Sequence, residues 1–349
     1  MLRFVSRGTW QVAVASIRPS ALRAGDSLDM WCVGIDLGGT FTKAVLVDRA
    51  GNAGEVFGLP TPTDGDPAGV VEGMAEAANR VVEARGLSHR DVVGVGVGSP
   101  GPISISRGII YAMPNIPFMS NVPLRDMVGK KLDLPVVLEN DANAAAYGEY
   151  LCGAGEEARD LVMLTLGTGV GSGIIIDGKI LHGSHELGGE LGHMILVPGG
   201  EPCGCGQRGC LERYCSAHYV AAGATRRIRE APPPTALRAI LDAKGSIDAK
   251  DIHEARKAGD KLAAEIWDKA VYYLALGCVN VCRILDPDRI VLTGGMTRAG
   301  EDLFAPLRDH FFRLHWSLTK PKTEVSLASL GSDAGSIGAA GVAWQTFGN

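Results

Sequence analysis

The sequence predicts a two-domain α/β protein whose ligands sit in a cleft between the domains. Three observations carry this. A chain of 349 residues is long enough for two domains of ordinary size. Short β-prone runs are interleaved with helical stretches along it. One local plan occurs twice, at Asp36–Asp48 and at Thr165–Asp177: an oxygen-bearing residue, a leucine, a turn of glycine and threonine, an apolar strand and a closing aspartate. Two such turns facing each other hold both ends of a triphosphate, which one alone does not.

Composition narrows the class. A content of 46% hydrophobic and 21% charged residues fits a soluble globular protein with ample core. The formal net charge of -5, with both signs mixed throughout, makes no case for nucleic acid or an anionic membrane as partner. No apolar run reaches the roughly 18 residues of a membrane span. Cys203, Cys205 and Cys210 bunch at metal-ligand spacing, whereas Cys32, Cys152, Cys278 and Cys282 lie in apolar surroundings. That pattern points to a reducing, cytoplasmic compartment. Met1–Asp29 carries Arg3, Arg7, Arg18 and Arg23 with no acid before Asp26. A transit-type peptide has this composition. The reading taken is a disordered extension, or a start upstream of the real one at Met30, with the core beginning at Trp31.

In order, Val33, Ile35 and Leu37 form the first strand, which ends at Asp36-Leu37-Gly38-Gly39-Thr40, and Thr42–Val47 forms the second. Gly38 and Gly39 lack a Cβ, so this turn permits positive φ and close approach of a phosphate. Thr40 adds a hydroxyl, and Asp36 offers Mg²⁺ the oxygen ligand it prefers. An ordinary hairpin explains one such turn equally well. Asp66-Pro67 opens a helix through Ala84, with Gly86 beyond its end. The strand Val92–Val97 runs into the loop Gly98–Pro102, which includes Gly101, at a strand end of the kind where ligands gather. Ile109–Pro117 is irregular and pocket-lining, with Asn115 its polar candidate; a solvated turn asparagine fits the same pattern. Pro135–Leu138 is a strand leading to Glu139-Asn140-Asp141, and Asp141 opens the helix Ala142–Tyr150. A helix cap and a general base are compatible roles there.

The second glycine hairpin spans Leu161–Ile176, and Asp177-Gly178 signals a further tight turn. Helices fill Ala217–Leu285, interrupted at Pro232-Pro233-Pro234, with a long core helix over Ala258–Leu285. A strand at Arg289–Leu292 ends in a third glycine turn, Gly294-Gly295. A helix at Glu301–Arg313, a strand at Glu324–Ala328 and an alanine- and glycine-rich helix at Ala334–Trp344 complete the chain.

Pro198–Tyr214 has almost no periodicity and needs something other than a hydrophobic core to hold it. His193, Cys203, Cys205 and Cys210 supply it, spaced H-x9-C-x-C-x4-C. Three thiolates and an imidazole match a closed tetrahedral zinc site and disfavour Mg²⁺ or Ca²⁺. Four protein ligands leave no open position, so the zinc is structural. Its expected job is to pin the loop and orient Glu190 and Glu212. Buried free thiols are the alternative.

On these motifs the chain resembles the ROK family of sugar kinases, from about Trp31 to Gly348. Asp36–Thr40 with Lys43 looks like the first ATP-phosphate motif, Glu139-Asn140-Asp141 like the catalytic segment, and Gly167-Thr168-Gly169-Val170-Gly171 like the second phosphate motif. Glu190-Leu191-Gly192-His193 and Cys203–Glu212 look like the sugar and zinc signature. The resemblance implies an actin/hexokinase-like (ribonuclease H-like) fold. Residues 30–140 then form a small α/β domain, 141–331 a large one carrying the zinc loop, and 332–349 pack back on the first. It implies Asp141 as the base for the sugar 6-hydroxyl. Asn140, Glu190, His193 and Glu212 read ring hydroxyls, and Gly101 and Asn115 complete the substrate set.

The resemblance further implies that ATP is held by Asp36, Gly38, Gly39, Thr40, Lys43, Gly167, Thr168, Gly169 and Gly171, with Gly294 and Gly295 on the adenosine side. Mg²⁺ and a structural Zn²⁺ accompany it, in a homodimer or higher homo-oligomer. Glucose is the expected sugar and an N-acetylhexosamine the alternative. A sugar-responsive repressor of the same family carries a helix-turn-helix domain, for which Met1–Asp29 shows no paired-helix pattern. Three positions depart from the family pattern: Phe41 stands where a polar residue is common, Gly189 where alanine is common, and Ser172 where glycine is frequent, its hydroxyl still able to donate to phosphate.

Overall fold

The computed structural model describes residues 30–113, 115–230, 234–316 and 318–348. Met1–Asp29, with the expectations attached to it, and Pro232 and Pro233 lie outside the described residues.

The first half contains β1 (Trp31–Leu37), β2 (Phe41–Asp48), β3 (Phe57–Pro60), α1 (Pro67–Ala84) and β4 (Val92–Ser99). A short hairpin, β5 (Ile103–Ser104) and β6 (Ile109–Ile110), then leads to α2 (Leu124–Leu132) and β7 (Val136–Asn140). The second half runs α3 (Asp141–Cys152), β8 (Leu161–Leu166), β9 (Val170–Ile176), β10 (Lys179–Ile180), α4 (Glu212–Cys215), α5 (Ala217–Glu230), α6 (Ala236–Lys244), α7 (Ala249–Lys257) and α8 (Lys261–Leu285). It closes with β11 (Arg289–Thr293), α9 (Glu301–Leu314), β12 (Glu324–Leu327) and α10 (Ala334–Phe347).

The two sheets repeat one topology. The orders are β3-β2-β1-β4-β7 and β10-β9-β8-β11-β12. In each, a hairpin supplies the antiparallel edge and two later strands add in parallel to its first strand. Local chemistry explains the elements. Asp66 caps α1 by accepting from the Gly69 N–H, with Pro67 in the first turn. Val70, Val71, Met74, Ala78 and Val81 are its buried stripe, facing Val33, Ile35 and Val97 in the first core. Asp177 and Gly178 have φ of 48° and 74°, the two positive values that a tight hairpin turn into β10 requires. In the second half α8 buries Trp267, Val271 and Leu274 against Leu164, Leu292 and Leu307.

Although α10 follows the second sheet, it packs on β1 and β4 of the first. A Cβ at Gly96 would lie 1.8 Å from the Ala339 carbonyl oxygen, so the strand and helix backbones are in direct contact there. The crossing of α10 with α3 is equally close: a Cβ at Gly338 would lie 1.6 Å from the Ala144 carbonyl oxygen. These two helices are therefore locked by backbone, and their beginnings are fixed relative to each other.

Two features depart from expectation. Asn140, not Asp141, is the cap of α3; its Oδ1 accepts from the N–H groups of Ala142 and Asn143, and Asp141 is the first helical residue. Helix α2 was not anticipated. Pro123 at its start offers no capping side chain and Gly129 sits inside it, so the usual start signal is missing. Among the described residues no helix is long and apolar enough to cross a membrane.

Candidate active site

A cavity of about 390 Å³ opens where the two sheets present their turns. Asp36 enters it from the end of β1, and Asp141 and Ala142 from the start of α3. Gly167, Thr168, Gly169 and Gly171 come from the second turn, and Thr293 from the end of β11. Gly331, Ser332, Ala334 and Gly335 come from the approach to α10. Both helices thus begin at the cavity and turn the positive ends of their dipoles towards it; the first N–H groups of α3 are taken by Asn140, whereas the start of α10 has no side-chain cap.

Five of the residues expected to hold nucleotide, Asp36 and the four of the second turn, line this space. The other expected positions are placed around it. Gly38, Gly39 and Thr40 form the first turn, closed by the Gly38 N–H donating to the Phe41 carbonyl at 3.0 Å. Gly294 and Gly295 directly follow Thr293. Lys43 lies opposite Asp36 on the hairpin, so the two side chains share a face. Its Nζ donates to the Ser332 carbonyl at 2.8 Å and to Asp333 Oδ1 at 3.1 Å, fastening the α10 approach to β2. That ammonium is committed to protein groups, which the motif alone does not reveal.

Burial pushes the Asp141 carboxyl up from its ordinary value; the Ala142 N–H, donating to Oδ1 at 2.8 Å, pulls the other way, and the nearby Glu190 charge adds to the rise. Asp36 is pushed to about 6, chiefly by burial and then by the Asp141 charge, with Lys43 opposing. The two acids therefore share one electrostatic environment. Beside them, Glu139 is buried, and its Oε1 accepts from the Asn140 N–H and from Asn143 Nδ2, both at 2.9 Å. With Asn140 Oδ1 spent on the cap, only its Nδ2 remains for a ligand.

Glu190 is exposed at the start of a short 3-10 turn, Leu191–His193. Its neighbours are held by Ser172, whose hydroxyl donates to the Gly189 carbonyl and accepts from the Leu191 N–H at 3.0 Å. Ser172 is therefore occupied with the Glu190 loop, and its hydroxyl proton goes to the Gly189 carbonyl. Gly189 has φ of 87°, which accounts for glycine in the place where alanine is common. Gly101 lies just past β4 with φ of 88°. Asn115 is exposed and lies against the first turn: a Cβ at Gly39 would come 3.0 Å from its Nδ2.

His193, Cys203, Cys205 and Cys210 converge, with ligand atoms all within 4.8 Å of one another. Cys205 Sγ and Cys210 Sγ are 3.7 Å apart, as are Cys203 Sγ and His193 Nδ1. Zinc–sulfur bonds of about 2.3 Å put two corners of a tetrahedron about 3.8 Å apart, so the donor set fits zinc in type and spacing. Glu212 bridges this cluster to the cavity. Its Oε1 lies 3.0 Å from Cys203 Sγ, and its Oε2 accepts from the Val170 N–H at 3.4 Å.

Four contributors were not singled out from sequence. Glu149 is fully buried on α3 and accepts from the N–H groups of Ala154, Ser329 and Leu330, tying the α10 approach to α3. Thr61 holds the first turn by donating to the Gly38 carbonyl at 2.8 Å. His182 and Glu186 reach from the Glu190 loop into the first half. The available signal for Glu149 was a carboxylate in an otherwise alanine-rich helix; the others carry no local signal.

The ROK family profile matches residues 32–346. A glucokinase of Halalkalibacterium halodurans is 38% identical over 311 residues, 89% of this chain and 94% of the relative. The structure of a ROK hexokinase from Thermus thermophilus superposes with a TM-score of 0.78 at 33% identity, over 91% of this chain and 99% of that one. That of a ROK family glucokinase from Streptomyces griseus, in complex with glucose and AMPPNP, gives 0.70 at 35% identity, over 90% and 99%. The two repeated sheets with α10 returning to the first are the actin/hexokinase-like fold.

Proposed function

The chain belongs to the ROK family, and from that premise we propose that it transfers the terminal phosphoryl group of ATP to the 6-hydroxyl of a hexose, with glucose as the substrate. The observation that carries this reading is one cavity in which Asp36, Asp141 and the Gly167–Gly171 turn meet. Asp141 is the general base. Burial raises its proton affinity above the ordinary carboxylate value, which favours its accepting a hydroxyl proton. Asn140, Glu190, His193 and Glu212 hydrogen-bond the ring hydroxyls, with Gly101 and Asn115 at the margin.

The phosphates lie against the second turn and the beginnings of α3 and α10, and the first turn with Lys43 closes the other side. Asp36 is the carboxylate that would hold Mg²⁺, which supplies neutralisation of phosphate charge. His193, Cys203, Cys205 and Cys210 would hold zinc, which pins the loop; Nδ1 of His193 faces the cluster, leaving Nε2 for the sugar. The domains of this reading are residues 30–140 with 332–349, and 141–331. Homodimeric or higher assembly and a cytoplasmic setting belong to it.

A coupled ADP-release assay with Mg-ATP tests it, comparing kcat/KM for glucose, N-acetylglucosamine, N-acetylmannosamine, mannose and fructose. A clear preference for glucose supports the proposal. A preference for an N-acetyl sugar replaces the substrate while keeping the base. No turnover with any sugar removes the kinase reading.

A further inference from the structure

The loop from Leu181 to Glu190 leaves the second sheet after β10, and Ser172 of β9 holds its far end. Yet two of its side chains are anchored in the first half. Glu186 Oε2 accepts from the Ile105 N–H at 2.9 Å and from Ser104 Oγ at 3.1 Å, and Oε1 accepts from the Ser106 N–H at 2.8 Å. Those donors form the turn between β5 and β6, whose Ile103 and Ile110 pack into the first core. His182 Nε2 lies 2.7 Å from Glu139 Oε2, next to Asn140 and Asp141. The loop is thus strapped at two points to the half opposite the one it grows from.

The backbone of Glu186 adds a separate observation. Its φ is 60°, in the left-handed region that costs a residue with a Cβ about 1 kcal/mol or more. Glycine would relieve that cost, and the loop already holds glycine at 183, 188 and 189. The side chain offsets the strain with three hydrogen bonds, all of them across the two halves.

We propose that Glu186, seconded by His182, is a positioning residue for the hexose site. The clasp holds the loop whose far end carries Glu190, and His182 grips Glu139, the carboxylate that accepts from the Asn140 N–H beside Asp141. This rests on the kinase reading above. The second phosphate turn has its own supports in Ala217 and Glu212, so the clasp acts on hexose and not on nucleotide.

The test combines amide hydrogen exchange without substrates and steady-state kinetics on the full chain. In Glu186→Ala the Ile105 and Ser106 amides lose their acceptor, so exchange over residues 103–108 speeds up. The KM for hexose rises about tenfold, corresponding to loss of roughly 1.4 kcal/mol of positioning, while the KM for ATP stays within about twofold. Glu186→Gln, which still accepts hydrogen bonds, restores part of the hexose KM and serves if the alanine variant folds poorly. Glu186→Gly relieves the left-handed strain and so keeps thermal stability, yet shows the same rise in hexose KM.

Faster exchange with an unchanged hexose KM overturns the proposal, as does an equal rise in both KM values. Exchange that does not change overturns the clasp itself. Absence of hexose turnover in the parent protein fells the kinase reading and the positioning role with it, while the exchange result still reports the clasp on its own.

Discussion

The two glycine turns are built on one strand plan and held by different means. The first is braced from within its own half: Thr61 gives its hydroxyl to the Gly38 carbonyl and its N–H to the Thr40 carbonyl. The second closes on itself, Gly167 N–H to Gly169 carbonyl, and is braced from outside the hairpin. The Ala217 N–H at the start of α5 reaches the Gly167 carbonyl, and Glu212 receives the Val170 N–H. Glu212 in turn touches Cys203 of the Cys/His cluster. Shared topology therefore does not mean shared control. One turn depends on a threonine nearby in space, the other on a loop with no hydrophobic core of its own.

The largest effect is expected where the halves join and neither turn dominates. Asp141→Asn should lower kcat by about 10²–10⁴ while hexose still binds, because a positioned base is lost and the α3 start is retained. Near-normal turnover would remove Asp141 from the chemistry. Next comes the second turn. Cys205→Ser should abolish stoichiometric zinc, measured by elemental analysis, and raise the hexose KM by about 10–100-fold. Amide exchange should quicken over 167–171 and not over 38–41. If both turns loosen together, the contrast in their bracing is wrong.

Smaller effects sharpen the first half. Asp36 has a proton affinity raised to about 6 in the folded protein against 3.8 ordinarily. Between those values the folded chain holds more proton than the unfolded one, so this group subtracts stability as pH rises through that window. Asp36→Asn, measured without Mg²⁺ or nucleotide, should therefore gain on the order of 2–3 kcal/mol near pH 7, shrinking toward pH 4. A gain that grows on acidification would contradict the burial argument. The smallest effect is expected for Thr61→Val, about 1 kcal/mol of stability, with faster exchange confined to the first turn.

What was legible in the sequence had local causes. The α1 boundaries follow from Asp66, Pro67 and an apolar stripe; the tight turn at Asp177-Gly178 needs two positive φ values; the cysteines and His193 lie within eighteen residues. What was not legible depends on distant partners. Lys43 meets Ser332 and Asp333, Glu149 meets Ser329 and Leu330, and Glu186 meets Ser104–Ser106, each pairing created only by the tertiary fold. Ser172 belongs with them: a hydroxyl in a phosphate-like motif is taken by the Gly189 carbonyl, a neighbour only in three dimensions. The place of α10 on the first sheet came from the family resemblance. Its glycines then show how it fits, since any side chain at Gly96 or Gly338 would collide with backbone.

The charged side chains of the cavity are Asp36, Asp141 and Glu149, and none of the described residues lining it is a lysine or arginine. A triphosphate arriving alone would meet acids of its own sign in the lining, while the nearby Lys43 ammonium is already paired with Asp333 and Ser332. Its counter-charge has to travel with it. On the kinase reading, nucleotide affinity is expected to depend on a divalent cation carried in as part of the ligand. A chelator is then expected to act as an inhibitor, and monovalent salt, which loosens lysine-lined phosphate sites by screening, to have little effect.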